Sequence, residues 1–243
     1  MSSDLVNALN ILQGSCCYNQ WIYSFLEPYL SGVVLDVGSG LGDIAALFIS
    51  PEVQEVILSD CDHNFIEELQ KRYFSLSKYR VVFLDVSENK VPTQLKEQRV
   101  DTVTCVNVLE HIQDDISALQ GMRCMLKPAG RVLIFVPALP CIYGTLDSSH
   151  GHFRRYTQRT LKAKMQAAGF EVKVWRYMNI FGVLSWFLAG RLLKQRKFSE
   201  KACYQLDKIV PLLRWIEQGI RLPWGQSLLM VGQVVNQPKS QVD

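Results

Sequence analysis

Val34-Leu35-Asp36-Val37-Gly38-Ser39-Gly40-Leu41-Gly42-Asp43 decides how the rest of this sequence is read. The apolar run Val33–Val37 reads as a buried strand, and it enters glycines before a helical pattern begins. Glycines adopt backbone angles that other residues resist, and they let a ligand approach the main chain closely. A helix start behind them offers unpaired N–H groups. A dinucleotide fingerprint is spaced G-x-G-x-x-G and carries its acid about 20 residues on. Here the spacing is G-x-G-x-G, and Asp36 stands two residues before the first glycine. An acid there is poorly placed beside a pyrophosphate and suits a cationic head such as an amino group. A tight turn with no ligand is the plainer alternative.

Outward from this loop the pattern repeats. Residues 4–30 read as one or two helices, and Leu41–Ser50 as a helix stopped by Pro51. Val53–Leu58, Arg80–Leu84, Val100–Val106, Arg131–Val136, Glu171–Trp175 and Ser227–Val235 read as further strands. Asn64–Tyr73, Ile116–Met125 and Thr157–Ala168 read as helices, the last ended by Gly169. Strands alternating with helices predict an α/β fold: seven strands, mostly parallel, with helices on both faces. A helical insert at 178–225 precedes the last strand. Its Ile209, Leu212, Leu213, Ile216 and Ile220 recur at helical spacing, so this face is expected to pack on the domain. The tail from Asn236 is polar and expected to fray. No linker divides the chain, so one domain over 1–243 is expected, with a helical cap at 1–30.

The 243 residues are 48% apolar and 20% charged, which excludes wholesale disorder. A chain of this size buries roughly 70–75% of its unfolded surface. The formal net charge of +3 is too small for a dedicated nucleic-acid binder. Seven cysteines, with no CxxC and no Cys/His cluster at zinc spacing, read as free thiols in a reducing compartment. Met1–Gln13 lacks a basic flank and a long apolar core. The apolar stretch Ile180–Leu193 is interrupted by Arg191 and is too short to span a bilayer. A cytoplasmic protein is the expectation.

Two more acids follow strands. In Val56-Ile57-Leu58-Ser59-Asp60-Cys61-Asp62, a carboxylate at the strand end can accept both hydroxyls of a ribose. Asp60 is favoured. Asp62 competes, but it also suits the N-cap of the next helix. Asp85 stands in Phe83-Leu84-Asp85-Val86, and a solvated loop acid is its plainer reading. Then comes Asp101-Thr102-Val103-Thr104-Cys105-Val106-Asn107-Val108-Leu109-Glu110-His111-Ile112.

With these four points in order, residues 30–177 resemble the class I S-adenosylmethionine-dependent methyltransferases, which have a Rossmann-like fold. The resemblance implies that the Asp36, Gly38, Gly40 and Gly42 loop holds the methionine part of the cofactor. It makes Asp60 the ribose ligand with Cys61 beside the adenine. Asp85 would accept the adenine amino group, with the Val86 N–H near the ring. Asn107 would sit near the sulfonium and methionine portion.

After the fifth strand, Asp147-Ser148-Ser149-His150-Gly151-His152-Phe153-Arg154-Arg155-Tyr156-Thr157 gathers titratable groups. Tyr143-Gly144, Asp147 and Gly151–Tyr156 resemble a subgroup with Tyr-Gly, Asp and Gly-His-x-Arg-Arg-Tyr at this place, some of whose members act on small metabolites or surface glycans. Tyr18–Trp21 and Leu222–Ser227 also fit it. Histidine titrates near neutral pH, so His152 is the first candidate for a general base and His111 the second. The alternative for each is a histidine that braces a loop. His150, Arg154 and Tyr156 are candidate acceptor contacts; for Arg154 and Arg155, pairing with Asp147 or surface exposure is the plainer reading. No metal is expected, because the close acid pair Asp114-Asp115 suits a helix start.

The expected activity is methyl transfer from S-adenosylmethionine to a hydroxyl or amine of a small molecule, leaving S-adenosylhomocysteine. The alternatives are a cofactor-binding protein that does not methylate, a nicotinamide-dependent oxidoreductase, and a tRNA or protein acceptor. A small-molecule acceptor is the expected partner, without nucleic acid. The segment Phe181–Leu193 with Arg191, Lys194, Arg196, Lys197 and Lys201 reads first as a lid or packing element, second as a dimer contact, third as a membrane contact.

Overall fold

A computed structural model describes residues 16–88, 92–197, 200–217, 220 and 222–235. The apolar runs become strands β1 (Gly32–Val37), β2 (Val53–Asp60), β3 (Tyr79–Phe83), β4 (Val100–Val106), β5 (Leu126–Pro137), β6 (Phe170–Met178) and β7 (Ser227–Val234). They form one sheet in the order β3-β2-β1-β4-β5-β7-β6. β1 to β5 pair in parallel, and β7 runs antiparallel between β5 and β6. The predicted seven-stranded, mostly parallel α/β sheet is therefore the observed one. The strand order reverses between β1 and β4, and open α/β sheets bind ligands at the carboxyl ends flanking such a point.

Parallel strands are apolar throughout because both faces are covered. Successive side chains point to opposite faces, and the core divides accordingly. Leu35, Val37, Ile57, Val103, Val132 and Ile134 join one buried cluster; Val34, Val56, Leu58, Leu133 and Phe135 join the other. The first cluster packs against α4 (Asp115–Met125) and α6 (Gln158–Ala167). The second packs against α1 (Cys16–Leu26), α2 (His63–Tyr73) and α8 (Glu200–Glu217). Short helices α3 (Thr93–Gln98), α5 (Thr145–Ser149) and α7 (Ile180–Trp186) complete the described helices of this sequence. Local chemistry sets their ends. Asp62 caps α2 by accepting from the Asn64 amide, Asp114 caps α4 from that of Ser117, and Gly169 at φ +88° follows α6.

Two expectations change. The helix expected over 41–50 is reduced to a turn, with only Ala45–Leu47 helical. Gly42 stands at φ +78°, outside right-handed helix geometry, and its carbonyl accepts from the Tyr73 hydroxyl at 2.8 Å. In α8 most of the expected apolar face is not buried. Of its residues only Leu213 is buried, together with Val210 and Glu217, while Ile209, Leu212, Ile216 and, beyond the helix, Ile220 are exposed. α8 packs beside α1, where the Tyr18 amide donates to Asp207, and its last residue Glu217 accepts from the Asn179 and Ile180 amides at the start of α7. No helix among the described residues is long and apolar enough to cross a membrane. The helical expectations for 4–15 and the tail from 236 lie outside the described residues.

Candidate functional site

The cofactor-side candidates converge at the carboxyl ends of β1, β2 and β4. Gly38, Gly40 and Gly42 all have positive φ, as the loop requires. A Cβ on Gly38 would meet Val108 at 2.4 Å, and one on Gly42 would meet the Tyr73 ring at 2.8 Å. A Cβ on Gly40 would meet nothing within 4 Å, so beside this residue the main chain faces open space. The loop amides, however, are not a free cradle. Those of Ser39 and Gly42 donate to the Ser59 and Ser39 carbonyls, and that of Gly40 to Asp60 Oδ2 at 2.9 Å.

Asp36 is buried, and its Oδ1 accepts from the Thr104 hydroxyl at 2.6 Å. Burial raises its pKa to about 6 against hydrogen bonds from Thr104 and Ser39. A buried carboxyl held this way gains from a cation beside it. Asp60 is also buried and raised by burial. Its oxygens accept from the Gly40 and Asp62 amides, and a carboxylate has lone pairs left for two hydroxyls. Asp62 is spent on its cap, which separates it from Asp60 in role. Cys61 is exposed, and its thiol is raised by burial and then by the charges of Asp60 and Asp85. The charges of Asp60 and Asp85 both act on Cys61, and that of Asp60 acts on Asp36, so the acids of β1, β2 and the segment after β3 lie along one end of the sheet. Asp85 accepts at Oδ1 from the Ser87 amide and hydroxyl, Val86 is buried, and Asn107 is exposed at φ +53°.

The acceptor-side candidates are organised by Asp147, which is fully buried. Its Oδ1 accepts from Arg155 Nε at 2.6 Å and meets His152 Nδ1 at 3.0 Å. Its Oδ2 accepts from Trp186 Nε1 at 2.9 Å and the Gly144 amide at 3.0 Å. Four partners, one of them a buried guanidinium, keep this carboxyl below the usual range despite burial. Arg155 also donates to the Ala138 carbonyl and lies over the Trp186 ring. Trp186 comes from α7, so the insert packs directly on the acceptor loop. His152 is mostly buried, with its pKa lowered by burial against the pull of Asp147. It packs edge-on to His111, whose pKa burial lowers to about 4, with His152 and His150 adding to the fall. His150 Nδ1 is held at the Leu146 carbonyl.

Two acceptor candidates turn out to be structural. Tyr156 is buried, and its hydroxyl donates to Asp115 at 2.9 Å; Arg154 pairs with the same carboxylate at 2.7 Å, as does Lys164. Both residues tie the loop to α4 rather than face a ligand. The same contacts explain Asp114-Asp115: one acid caps, the other anchors.

Glu110 was assigned no role from sequence. Its side chain is fully buried at the end of β4, and neither carboxylate oxygen has a hydrogen-bond partner. Burial raises its pKa to about 8, with Arg155 opposing and Asp147 adding. Cys105, buried between them, feels both Glu110 and Asp36, so the two halves of the site adjoin. Asp147 matched a motif but not as a hub. Only the spacing of Leu-Glu-His and of Gly-His in the chain hinted at either.

A family model described as a methyltransferase domain matches residues 18–173. Squalestatin hexaketide synthase of Phoma sp. is 28% identical over 127 residues, 49% of this chain and 5% of that protein. The ubiquinone/menaquinone biosynthesis C-methyltransferase UbiE of Escherichia coli is 26% identical over 167 residues, 57% of this chain and 66% of that protein. The chain thus spans just under two thirds of the length of the one and a small part of the other. A SAM-dependent methyltransferase from Archaeoglobus fulgidus superposes with a TM-score of 0.54 at 20% identity, covering 88% of this chain and 94% of that one. That likeness is one of fold. The family match covers most of the chain, including every cofactor-side candidate and the acceptor loop, and the chain belongs to the methyltransferase-domain family.

Proposed function

We propose that this protein transfers a methyl group from S-adenosylmethionine to an oxygen of a small-molecule acceptor, releasing S-adenosylhomocysteine. The observation that carries the reading is the open main chain at Gly40 beside Asp60, with Asp36 coupled to Asp60 and Asp85 acting on the neighbouring Cys61. The donor set fits the group: a raised, buried acid for an ammonium, a strand-end acid for paired hydroxyls, and an acid followed by an amide for an adenine edge. Asp36 and the glycine loop would hold the methionine part, Asp60 the ribose with Cys61 beside the adenine, and Asp85 with Val86 the base. Asn107 would contribute to the methionine side. Bound there, S-adenosylmethionine supplies a sulfonium-activated methyl group.

The chain's own work is then to hold an acceptor in line, worth up to ~7–11 kcal/mol in favourable cases, and to deal with its proton. His152 is the residue on which the second task depends. Asp147 takes its Nδ1, leaving Nε2 as the remaining ring nitrogen, with His111 packed beside it. Residues 143–156 resemble the Gly-His-x-Arg-Arg-Tyr subgroup, some of whose members act on small metabolites, and this supports a small-molecule acceptor. A carbon acceptor is the second reading, favoured by the name of the Escherichia coli relative.

The test is calorimetry on the full chain with S-adenosylmethionine and S-adenosylhomocysteine. Both are expected to bind, with binding lost in Asp60→Ala and no heat from NAD. Folded protein that gives no heat with either nucleoside rules the reading out.

A further inference from the structure

Buried polar atoms are almost always satisfied, and a carboxyl group left without a hydrogen bond in a protein interior is unfavourable even when it is protonated. Both oxygens of Glu110 are buried without a hydrogen bond, the only carboxylate among the described residues in this condition. Two imidazoles stand beside it. His111 follows it in the chain, and the Phe153 amide donates to the Glu110 carbonyl at 2.8 Å, bringing His152 alongside. One carboxylate oxygen and one ring nitrogen from each histidine all lie within 4.8 Å of one another.

The surroundings match those of a ligand set. Asp147 Oδ1 at 3.0 Å from His152 Nδ1 is the carboxylate–histidine pair that orients a metal-bound imidazole and fixes its tautomer. Tyr143 steadies the same residue from the other side by donating to the His152 carbonyl at 2.7 Å. Arg155, the cation in contact with this region, is matched by Asp147, so Glu110 has no hydrogen-bonded counter-charge of its own.

We propose that Glu110, His111 and His152 bind a divalent first-row transition-metal ion. Two imidazoles and one carboxylate suit ions such as zinc, iron or manganese, whereas calcium and magnesium favour all-oxygen shells. Three protein ligands leave positions open. Given the methyl-transfer reading, on which this last point rests, the acceptor's oxygen occupies one of them. An oxygen bound to such an ion gives up its proton more readily, the proton leaving to water. With the ion bound, His152 promotes loss of that proton as a ligand, through the metal, and it takes the proton directly only in the metal-free protein. The expectation of a metal-free site rested on Asp114-Asp115, and the ligand set begins four residues before that pair.

The experiment strips the full chain with a chelator and titrates it with Co²⁺, followed by visible absorption, and with Zn²⁺, followed by calorimetry. No nucleoside is added, so the outcome is independent of cofactor binding, which is measured separately on the same samples. A single equivalent of each ion is expected, with cobalt bands of a nitrogen-ligated site. Glu110→Gln, close to isosteric, and His152→Ala should each weaken both ions by more than about tenfold. His150→Ala, whose ring is held at the Leu146 carbonyl, should leave them unchanged. No uptake by folded protein overturns the proposal. So does uptake that Glu110→Gln leaves intact, or uptake that His150→Ala abolishes.

Discussion

The two halves of the site are built differently. The cofactor side is made mainly of main chain: three glycines at positive φ, a loop stitched by its own amides, and acids standing at strand ends. The acceptor side is made mainly of side chains gathered on one buried carboxylate, Asp147, from positions 152, 155 and 186, with the Gly144 amide as the one main-chain partner. The first is a surface shaped to be approached, the second a frame held rigid from within. A shared cofactor and a private acceptor would demand this division.

The largest effect should come from the frame. Asp147→Ala leaves the Arg155 guanidinium, 1% exposed, without its partner. Loss of about 3–5 kcal/mol in urea unfolding is expected, with cofactor affinity little changed in the folded fraction. Equal damage to cofactor binding would erase the contrast between the halves.

Asp36→Asn should act in the opposite sense. Burial holds the folded pKa of Asp36 at about 6, above its ordinary 3.8. The acid therefore favours the fold when protonated. This contribution is complete below pH 3.8 and is lost as pH rises through 6. Asparagine stays neutral and can still accept from Thr104, so the variant should gain up to about 3 kcal/mol at pH 8 and lose the slope between these values. It should also bind S-adenosylmethionine more weakly. A variant that is neither stabler nor weaker in binding would remove Asp36 from the cradle.

The smallest effect sharpens the assignment of the ribose acid. Asp62→Ala deletes the cap of α2 and should cost about 1 kcal/mol in thermal unfolding, with cofactor binding intact. Unchanged stability with lost binding would transfer the role from Asp60 to Asp62.

The same division explains what could be read from the sequence. β1, β2, β4 and β5 announce themselves because strands covered on both faces are apolar runs. The glycine loop announces itself because its backbone angles restrict residue type. The turn at 41–50 did not, because Gly42 takes a left-handed φ of +78° where it packs against Tyr73, a tertiary partner at the far end of α2. The apolar stripe of α8 misled for a related reason: periodicity marks faces that could be buried, and α1 covers only the one through Val210 and Leu213. Arg154 and Tyr156 looked like ligand groups until Asp115, some 40 residues earlier, claimed both. Glu110 reads as an ordinary polar residue in Leu-Glu-His. Its isolation in the interior exists only after β4, the loop at 150–155 and Arg155 have come together.

The position of β7 has a consequence for how the chain matures. β6 pairs only with β7, and β7 fills the gap beside β5. Until residues 227–234 emerge from the ribosome, β5 presents a bare edge and β6 has no sheet to join. A nascent or truncated chain stopping short of that point carries the whole glycine loop yet exposes a sticky flank, so its hazard during synthesis is self-association rather than failure to form the loop.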